Sequence, residues 1–172
     1  MEKRLKINVE KGEYYDTLFD SPAIILDLFV YRAWHEKLYK VFKTGASTIF
    51  YEMGKELGVQ SIQRLREKIK DPLKIATIGM NHAFSLGWGK FSISKAQLLK
   101  MATLKLMSIK VEDCFIPKAV GNTGEASCHL LRGWFVGATE AIRGKEFVCE
   151  ETKCVSKGDT YCEFKIRVVK SR

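Results

Sequence analysis

The sequence predicts a mixed α/β domain of the α+β kind: N-terminal helices packed on an antiparallel sheet, and a last helix that leads into a β-hairpin. Three observations predict it. Aromatic and aliphatic residues recur at helical spacing from about Asp27 or Phe29 to Phe42, and a second helical pattern runs from about Ala46 to Ile69. Near the C-terminus a helical stretch, Cys128 to Arg143, precedes two strand-like runs, Lys145 to Glu151 and Tyr161 to Val168. The turn signature Lys157-Gly158-Asp159 lies between those runs. At 172 residues, 46% hydrophobic and 28% charged, the chain has the length and composition of one globular domain. An arm or strand over residues 1–24 is expected to precede a single domain over 25–172.

Taken in order, Leu5-Lys6-Ile7-Asn8-Val9 alternates as a short strand, and Pro22 to Leu26 reads as extended and apolar. The first helix puts Tyr31, Trp34, Leu38, Val41 and Phe42 on one stripe, the pattern of a core or a dimer interface. Gly45 breaks it. The second helix has an apolar face at Ile49, Phe50, Met53 and Leu57, with Gly54 and Gly58 four apart. A helical Gly costs about 1 kcal/mol, so that spacing points to close backbone approach. Asp71-Pro72 opens a third helix as N-cap and first residue. It runs to about Leu86, carries Ile75, Ile78, His82 and Phe84, and stops at Gly87-Trp88-Gly89. Strands follow over Lys90–Ile93 and Thr103–Val111, with Ala96–Met101 unassigned, and Cys114-Phe115-Ile116-Pro117 leads out of the sheet. Asn122-Thr123-Gly124-Glu125 has the form of a capping box, which would start the helix that bears Cys128. That helix sets Leu131, Trp134, Phe135 and Ala138 on apolar positions and repeats the glycine spacing at Gly133 and Gly137. The two glycine-bearing helices are expected to cross closely.

The hairpin carries the chemistry. Centred on Gly158, it sets Cys154 and Cys162 opposite each other, and opposed Cβ atoms about 4.5–5.5 Å apart let two thiolates share one tetrahedral ion. Cys128 supplies a third sulfur, and Glu150 or Glu151 a carboxylate, a donor set that suits a structural zinc. Strand alternation favours Glu150, because positions 150, 152 and 154 share a face; a bulge between Glu151 and Cys154 would reverse the choice. The other reading of the facing cysteines is a disulfide. The opening Met1-Glu2-Lys3-Arg4-Leu5-Lys6 has no signal-peptide core, so a cytoplasmic, reducing location is expected, where disulfides are uncommon. Cys114 and Cys149 read as small buried hydrophobes.

These residues also carry a family resemblance. The runs Glu125-Ala126-Ser127-Cys128-His129, Glu151-Thr152-Lys153-Cys154 and Gly158-Asp159-Thr160-Tyr161-Cys162-Glu163-Phe164, with Gly133 between, resemble the C-terminal half of the 4-vinyl-reductase domain family. The run Tyr51-Glu52-Met53-Gly54-Lys55-Glu56-Leu57-Gly58 is similar to that family's N-terminal helix. The family includes sensor domains of phenol-responsive transcriptional activators, a protein of bacteriochlorophyll synthesis and several archaeal proteins. Its fold is shared with TRAPP vesicle-tethering subunits and haem-based nitric-oxide sensors. The resemblance thus implies a ligand-binding domain of the nitric-oxide-signalling/Golgi-transport type, and a homodimer. In the phenol sensors a helix Cys, a Glu and two hairpin Cys bind zinc, which the spacing carries onto Cys128, Glu151, Cys154 and Cys162. Resemblance therefore prefers Glu151 where strand parity prefers Glu150.

Family members bind small molecules, or a lipid chain, between helices and sheet. Here Phe84, Trp88, Phe91, Trp134 and Phe135 would line such a pocket, with His82 as the polar contact. A hydrophobic or aromatic small molecule is the implied ligand. No His–Trp pair matches the one that holds phenol in the sensors, and no His matches the haem context, so neither phenol nor haem is expected.

The remaining features narrow the function. The net charge is +9, but basic residues alternate with acids, as in Arg64-Leu65-Arg66-Glu67-Lys68, which describes a solvated helix face. Without a helix-turn-helix or zinc-finger spacing, direct nucleic-acid binding is not expected. No uncharged apolar run approaches the roughly 18 residues of a membrane span. Plentiful Lys and Glu with scarce Asn and Gln suggest a thermophilic source. Neighbouring Cys128 and His129 diverge by about 100° on a helix and cannot pair as nucleophile and base. No dinucleotide fingerprint is present either, so an enzyme is not expected. The leading expectation is a small-molecule-binding sensor module with a structural zinc and a separate effector protein as partner. The alternatives are a thiol redox switch at the cysteine cluster and a TRAPP-like scaffold or assembly subunit.

Overall fold

The computed structural model describes residues 5–94, 96–97 and 106–169. The chain opens with β1 (Leu5–Asn8), β2 (Glu13–Asp16) and β3 (Ser21–Ala23), an antiparallel sheet in that order. The alternation at Leu5–Val9 announces β1. The sequence of β2, Glu-Tyr-Tyr-Asp, has no such pattern and owes its strand to pairing on both sides. Buried Asp16 ends it, with Oδ1 accepting from the Leu18 and Phe19 N–H groups at 2.8 and 3.2 Å. That turn lays Leu18 and Phe19 against a small core of Ile62, Leu65 and Ile75.

Three helices follow, α1 (Leu28–Phe42), α2 (Gly45–Lys68) and α3 (Pro72–Ser85). Asp71 caps α3 as its sequence anticipates, accepting from the Leu73 and Lys74 N–H groups. The main sheet comprises β4 (Lys90–Ser92), β5 (Leu106–Glu112), β6 (Phe147–Lys153) and β7 (Cys162–Val168), antiparallel in the order β4-β5-β7-β6. Between β5 and β6 come a one-and-a-half-turn helix, α4 (Phe115–Val120), and the longer α5 (His129–Arg143). Much of the unassigned Ala96–Met101 stretch, and the start of the strand expected from Thr103, lie outside the described residues. The fold class is the α+β arrangement read from the sequence.

The core forms where α5 lies on the sheet and α2 crosses α5. The crossing is as close as the glycine spacing implies. A Cβ on Gly54 would run into the Leu130 carbonyl, and one on Gly58 into that of Trp134. From the other side, Gly133 meets the Tyr51 carbonyl and Gly137 that of Lys55. This contact turns α2 away from its expected orientation. Its buried stripe is Ala46, Phe50, Gly54, Gly58, Ile62 and Leu65, whereas Met53 and Leu57 are exposed. Large apolar side chains mark the wrong face, because the tightest contact selects the smallest residues.

Two further expectations are corrected. The Asn122–Glu125 stretch is a turn and does not begin a helix: Asn122 Oδ1 accepts from the Gly124 N–H, and the Thr123 and Gly124 N–H groups donate to the Ser156 carbonyl. Helix α5 starts four residues beyond Glu125, at His129. The α1 stripe also divides, with Tyr31 and His35 buried and Trp34, Val41 and Phe42 exposed.

Candidate metal centre and cavity

Three elements deliver the cysteines. Cys128 is the residue before α5, Cys154 follows β6, and Cys162 begins β7. A tight turn over Val155–Lys157 fixes the hairpin end: the Lys157 and Asp159 N–H groups donate to the Cys154 carbonyl, and the Cys154 N–H donates to Asp159 Oδ2 at 2.8 Å. In the β6–β7 ladder Glu151 faces Phe164 and Lys153 faces Glu163, which leaves Thr152 as a bulge. The extra residue moves Glu151 onto the face that carries Cys154, while Glu150 points to solvent. Uninterrupted alternation, which favours Glu150, is therefore corrected by the bulge.

Cys128, Glu151, Cys154 and Cys162 bring one ligand atom each to within 4.8 Å of one another. Cys128 Sγ is 3.9 Å from Cys154 Sγ and 3.7 Å from Cys162 Sγ. Sulfurs on one tetrahedral ion with metal–sulfur bonds of about 2.3 Å stand about 3.8 Å apart, so the spacing fits zinc. One Glu151 oxygen, Oε2, accepts from the Cys128 N–H at 3.1 Å, and the other, Oε1, is buried with no hydrogen-bond partner. A buried carboxylate oxygen left unpartnered is costly, and a cation in the centre would satisfy it. Four protein ligands would leave a bound ion no open position.

The electrostatics of the metal-free cluster agree. Burial, then the neighbouring Cys154 sulfur, push the Glu151 carboxyl up to about 8. Burial raises the Cys128 thiol well above the ordinary range, whereas hydrogen bonds from Cys128 and Cys162 lower that of Cys114. The cluster thus holds protons that a cation would displace. Cys149 lies apart, its thiol raised to about 12 by burial, as a half-buried hydrophobe would be. Cys114 does not: its sulfur touches Cys128 at 3.7 Å. No spacing motif singles it out, because β5 and α4 bring it there through tertiary contact.

A second feature sits between α2, α3 and α5. A cavity of about 120 Å³ is lined by Phe19, Leu65, His82, Trp88 and Trp134 among others, with Asp16 at its edge. A second, about 60 Å³, shares Ile62, Gly79 and Trp134 with it and adds Met107 and Phe135. His82 Nε2 lies 2.8 Å from Asp16 Oδ2, and the Phe19 ring meets the imidazole edge-on. Of the aromatics expected here, Trp88 packs on Trp134 and Trp134 on Phe135. Phe91 stands behind them, against Trp134 and Phe135. Phe84 does not belong to either lining: it is 57% exposed, one helical step of about 100° beyond buried Ala83. Asp16 and Phe19 escape sequence reasoning because only the docking of the N-terminal sheet brings them to His82.

Residues 107–168 match the family model of the V4R domain. An uncharacterized protein of Methanocaldococcus jannaschii is 29% identical over 130 residues, covering 72% of this chain and 66% of that protein. The chain thus spans just under two thirds of that relative's length. Another uncharacterized protein of the same organism is 28% identical over 165 residues, covering 95% and 80%. Among solved structures, the phenol-responsive sensory domain of the transcription activator PoxR, with phenol, superposes with a TM-score of 0.78 at 18% identity, covering 96% of this chain and 85% of that one. A vinyl-4-reductase family protein from M. jannaschii follows at 0.62 and 21%, covering 86% and 85%. A trafficking protein particle complex subunit 3 from Naegleria fowleri, covalently bound to palmitic acid, gives 0.51 and 16%, covering 83% and 95%. At these identities the structures establish the shared fold, and with the V4R match they bear out the resemblance read from the sequence.

Proposed function

Because the chain carries a V4R domain over residues 107–168, we propose that it is a non-enzymatic sensor module that binds a small apolar molecule and is held together by a structural zinc. The observation that carries this reading is the cavity beside His82. At about 120 Å³ it approaches the roughly 150 Å³ apolar cavity that accommodates benzene. It is walled by aromatics, with the buried His82–Asp16 pair as its polar group. A one-ring or short-chain ligand with one hydrogen-bonding group suits that lining. Zinc on Cys128, Glu151, Cys154 and Cys162 would pin the hairpin to α5. Exposed Trp34, Val41 and Phe42 on one side of α1 supply an apolar face for a homodimer. The signal would pass to an effector protein in the cytoplasm; among the described residues no helix is long and apolar enough to cross a membrane.

Native mass spectrometry of protein purified without chelator tests this directly. One zinc per chain, an added organic mass and a dimer are the expected result; protein with neither metal nor ligand, even after incubation with one-ring aromatics, would defeat it. The same α1 face favours a second reading as an assembly subunit, which predicts a stable heteromeric partner and no exchangeable ligand. A redox switch is disfavoured by burial, since Cys128, Cys154 and Cys162 are all 0% exposed.

A further inference from the structure

The two cavities adjoin, and their chemistry differs from one end to the other. Ile62, Gly79 and Trp134 line both. Gly79 adds no side chain at this junction, where a Cβ would meet no neighbouring atom closer than Leu65 Cδ1 at 3.9 Å. Asp16 and His82 stand only in the larger cavity, whereas Ala76, Ile93 and Met107 stand only in the smaller. Apart from the Thr139 hydroxyl and the Trp134 indole N–H, the lining of the smaller cavity has no polar side chain. Asp16, 6% exposed, sets the polar end. Its Oδ1 accepts from the Leu18 and Phe19 N–H groups, and its Oδ2 faces His82 Nε2 at 2.8 Å. Each carboxylate oxygen has two lone pairs, so Oδ2 keeps one acceptor position. No lysine or arginine is among the described residues that line this cavity. A buried anion would therefore have the Asp16 carboxylate as its neighbour and no cation beyond the His82 that Asp16 already holds.

We infer that the two cavities together take an elongated neutral molecule with a hydroxyl at one end and a short apolar tail at the other. Its ring fills the larger cavity, its hydroxyl donates to Asp16 Oδ2, and its tail passes Gly79 into the smaller cavity. This rests on the sensor reading above and narrows its ligand. The tail length follows from volume. Benzene has six carbons and occupies an apolar cavity of roughly 150 Å³, so the smaller cavity, at about 60 Å³, admits about two or three. The head follows from charge: Asp16 accepts a neutral donor and opposes a carboxylate. Specificity is thus divided, with β2 supplying the group that selects the head and α3, α5 and the main sheet the walls that measure the tail.

Calorimetric titration of the full chain, purified without chelator, tests both ends. The probes are benzyl alcohol, its 4-ethyl, 4-propyl and 4-hexyl derivatives, and 4-propylbenzoate. Affinity should rise about fourfold for each tail carbon up to propyl, the scale of burying one CH₂, and the hexyl derivative should bind no tighter than the propyl. The benzoate should bind about tenfold or more weakly than the propyl alcohol. Ala76→Leu, which fills the smaller cavity, should remove the gain from the tail. Benzyl alcohol binding as tightly as its propyl derivative would overturn the two-cavity ligand and leave the sensor reading standing. A gain that persists in Ala76→Leu would place the tail elsewhere, with the same consequence. A benzoate that binds as well as the alcohol would overturn the assignment of the head. No binding of any probe, in a chain that unfolds cooperatively, would overturn the cavity as a ligand site and the sensor reading with it. If Ala76→Leu does not fold, the wild-type series decides the question by itself.

Discussion

The cysteine centre and the outer face of α1 are opposite answers to the same composition. At the centre, soft and apolar groups from distant parts of the chain converge until Cys128, Cys154 and Cys162 are 0% exposed. On α1, apolar side chains along one side of the helix stay apart from the core, with Trp34 at 54%, Val41 at 55% and Phe42 at 52% exposure. The centre is closed by contacts inside the chain. The α1 face leaves its apolar side chains in solvent, where the proposed dimer would cover them.

The largest expected effect is at the closed side, where α2 and α5 cross. Gly133→Val would drive its side chain into the Tyr51 carbonyl, and the loss should be about 3 kcal/mol or more, read as a fall in the urea midpoint. A midpoint left in place would mean that the helices do not cross this closely in solution.

Metal removal comes next. Chelation should lower the melting temperature by about 10 °C, equivalent to about 3 kcal/mol for a domain of this size. No change on adding chelator to zinc-loaded protein would remove the metal from the account of what closes this region. The metal-free form carries a sign that sharpens the test. Its Glu151 carboxyl lies at about 8 against an ordinary 4.5, so between those values the folded chain holds a proton that the unfolded chain has released. Metal-free stability is then full below about pH 4.5 and falls as pH rises through 8. A zinc ion would replace that proton, so zinc affinity should rise over the same window. Urea melts of chelated protein across that range should show the decline, and Glu151→Gln should flatten it; a stability that climbs with pH would contradict the assignment.

The open side should respond differently. Replacing Trp34 and Phe42 by Glu should leave the unfolding free energy of the monomer within about 0.5 kcal/mol per residue, since exposed positions contribute little. Sedimentation should nonetheless shift from dimer to monomer. A double variant that unfolds would place these side chains in the core after all. The smallest effect is expected at Gly79, which faces the cavities and would set a Cβ no closer than 3.9 Å from Leu65 Cδ1. Gly79→Ala should stabilise α3 by up to about 1 kcal/mol and, by narrowing both cavities, weaken any one-ring ligand in a thermal-shift titration. Destabilisation there would show the space to be already filled.

Much of this was legible in the residues themselves. Local signals are strong where a short segment decides its own conformation, as at the Asp71-Pro72 cap, the turn at Gly158 and the helical spacing of Gly133 and Gly137. Signals failed where the decision is made elsewhere in the chain. The capping-box form of Asn122–Glu125 competes with hydrogen bonds to the Ser156 carbonyl and loses. The apolar residues of α2 mark a face that the glycine crossing overrules. Strand parity pointed to Glu150, and only the family resemblance preferred Glu151; a single bulged residue reverses the face of everything beyond it.

By itself, then, the sequence determined the α+β class, the glycine crossing and the three sulfurs of the hairpin centre, because each depends on spacing along one element or across one turn. Tertiary structure alone decided that Cys114 packs on Cys128 and that Asp16 and Phe19 close on His82. Each of those choices brings together residues from elements far apart in the chain. The free energy that selects them comes from burial and mutual satisfaction of groups that meet only once the chain has folded.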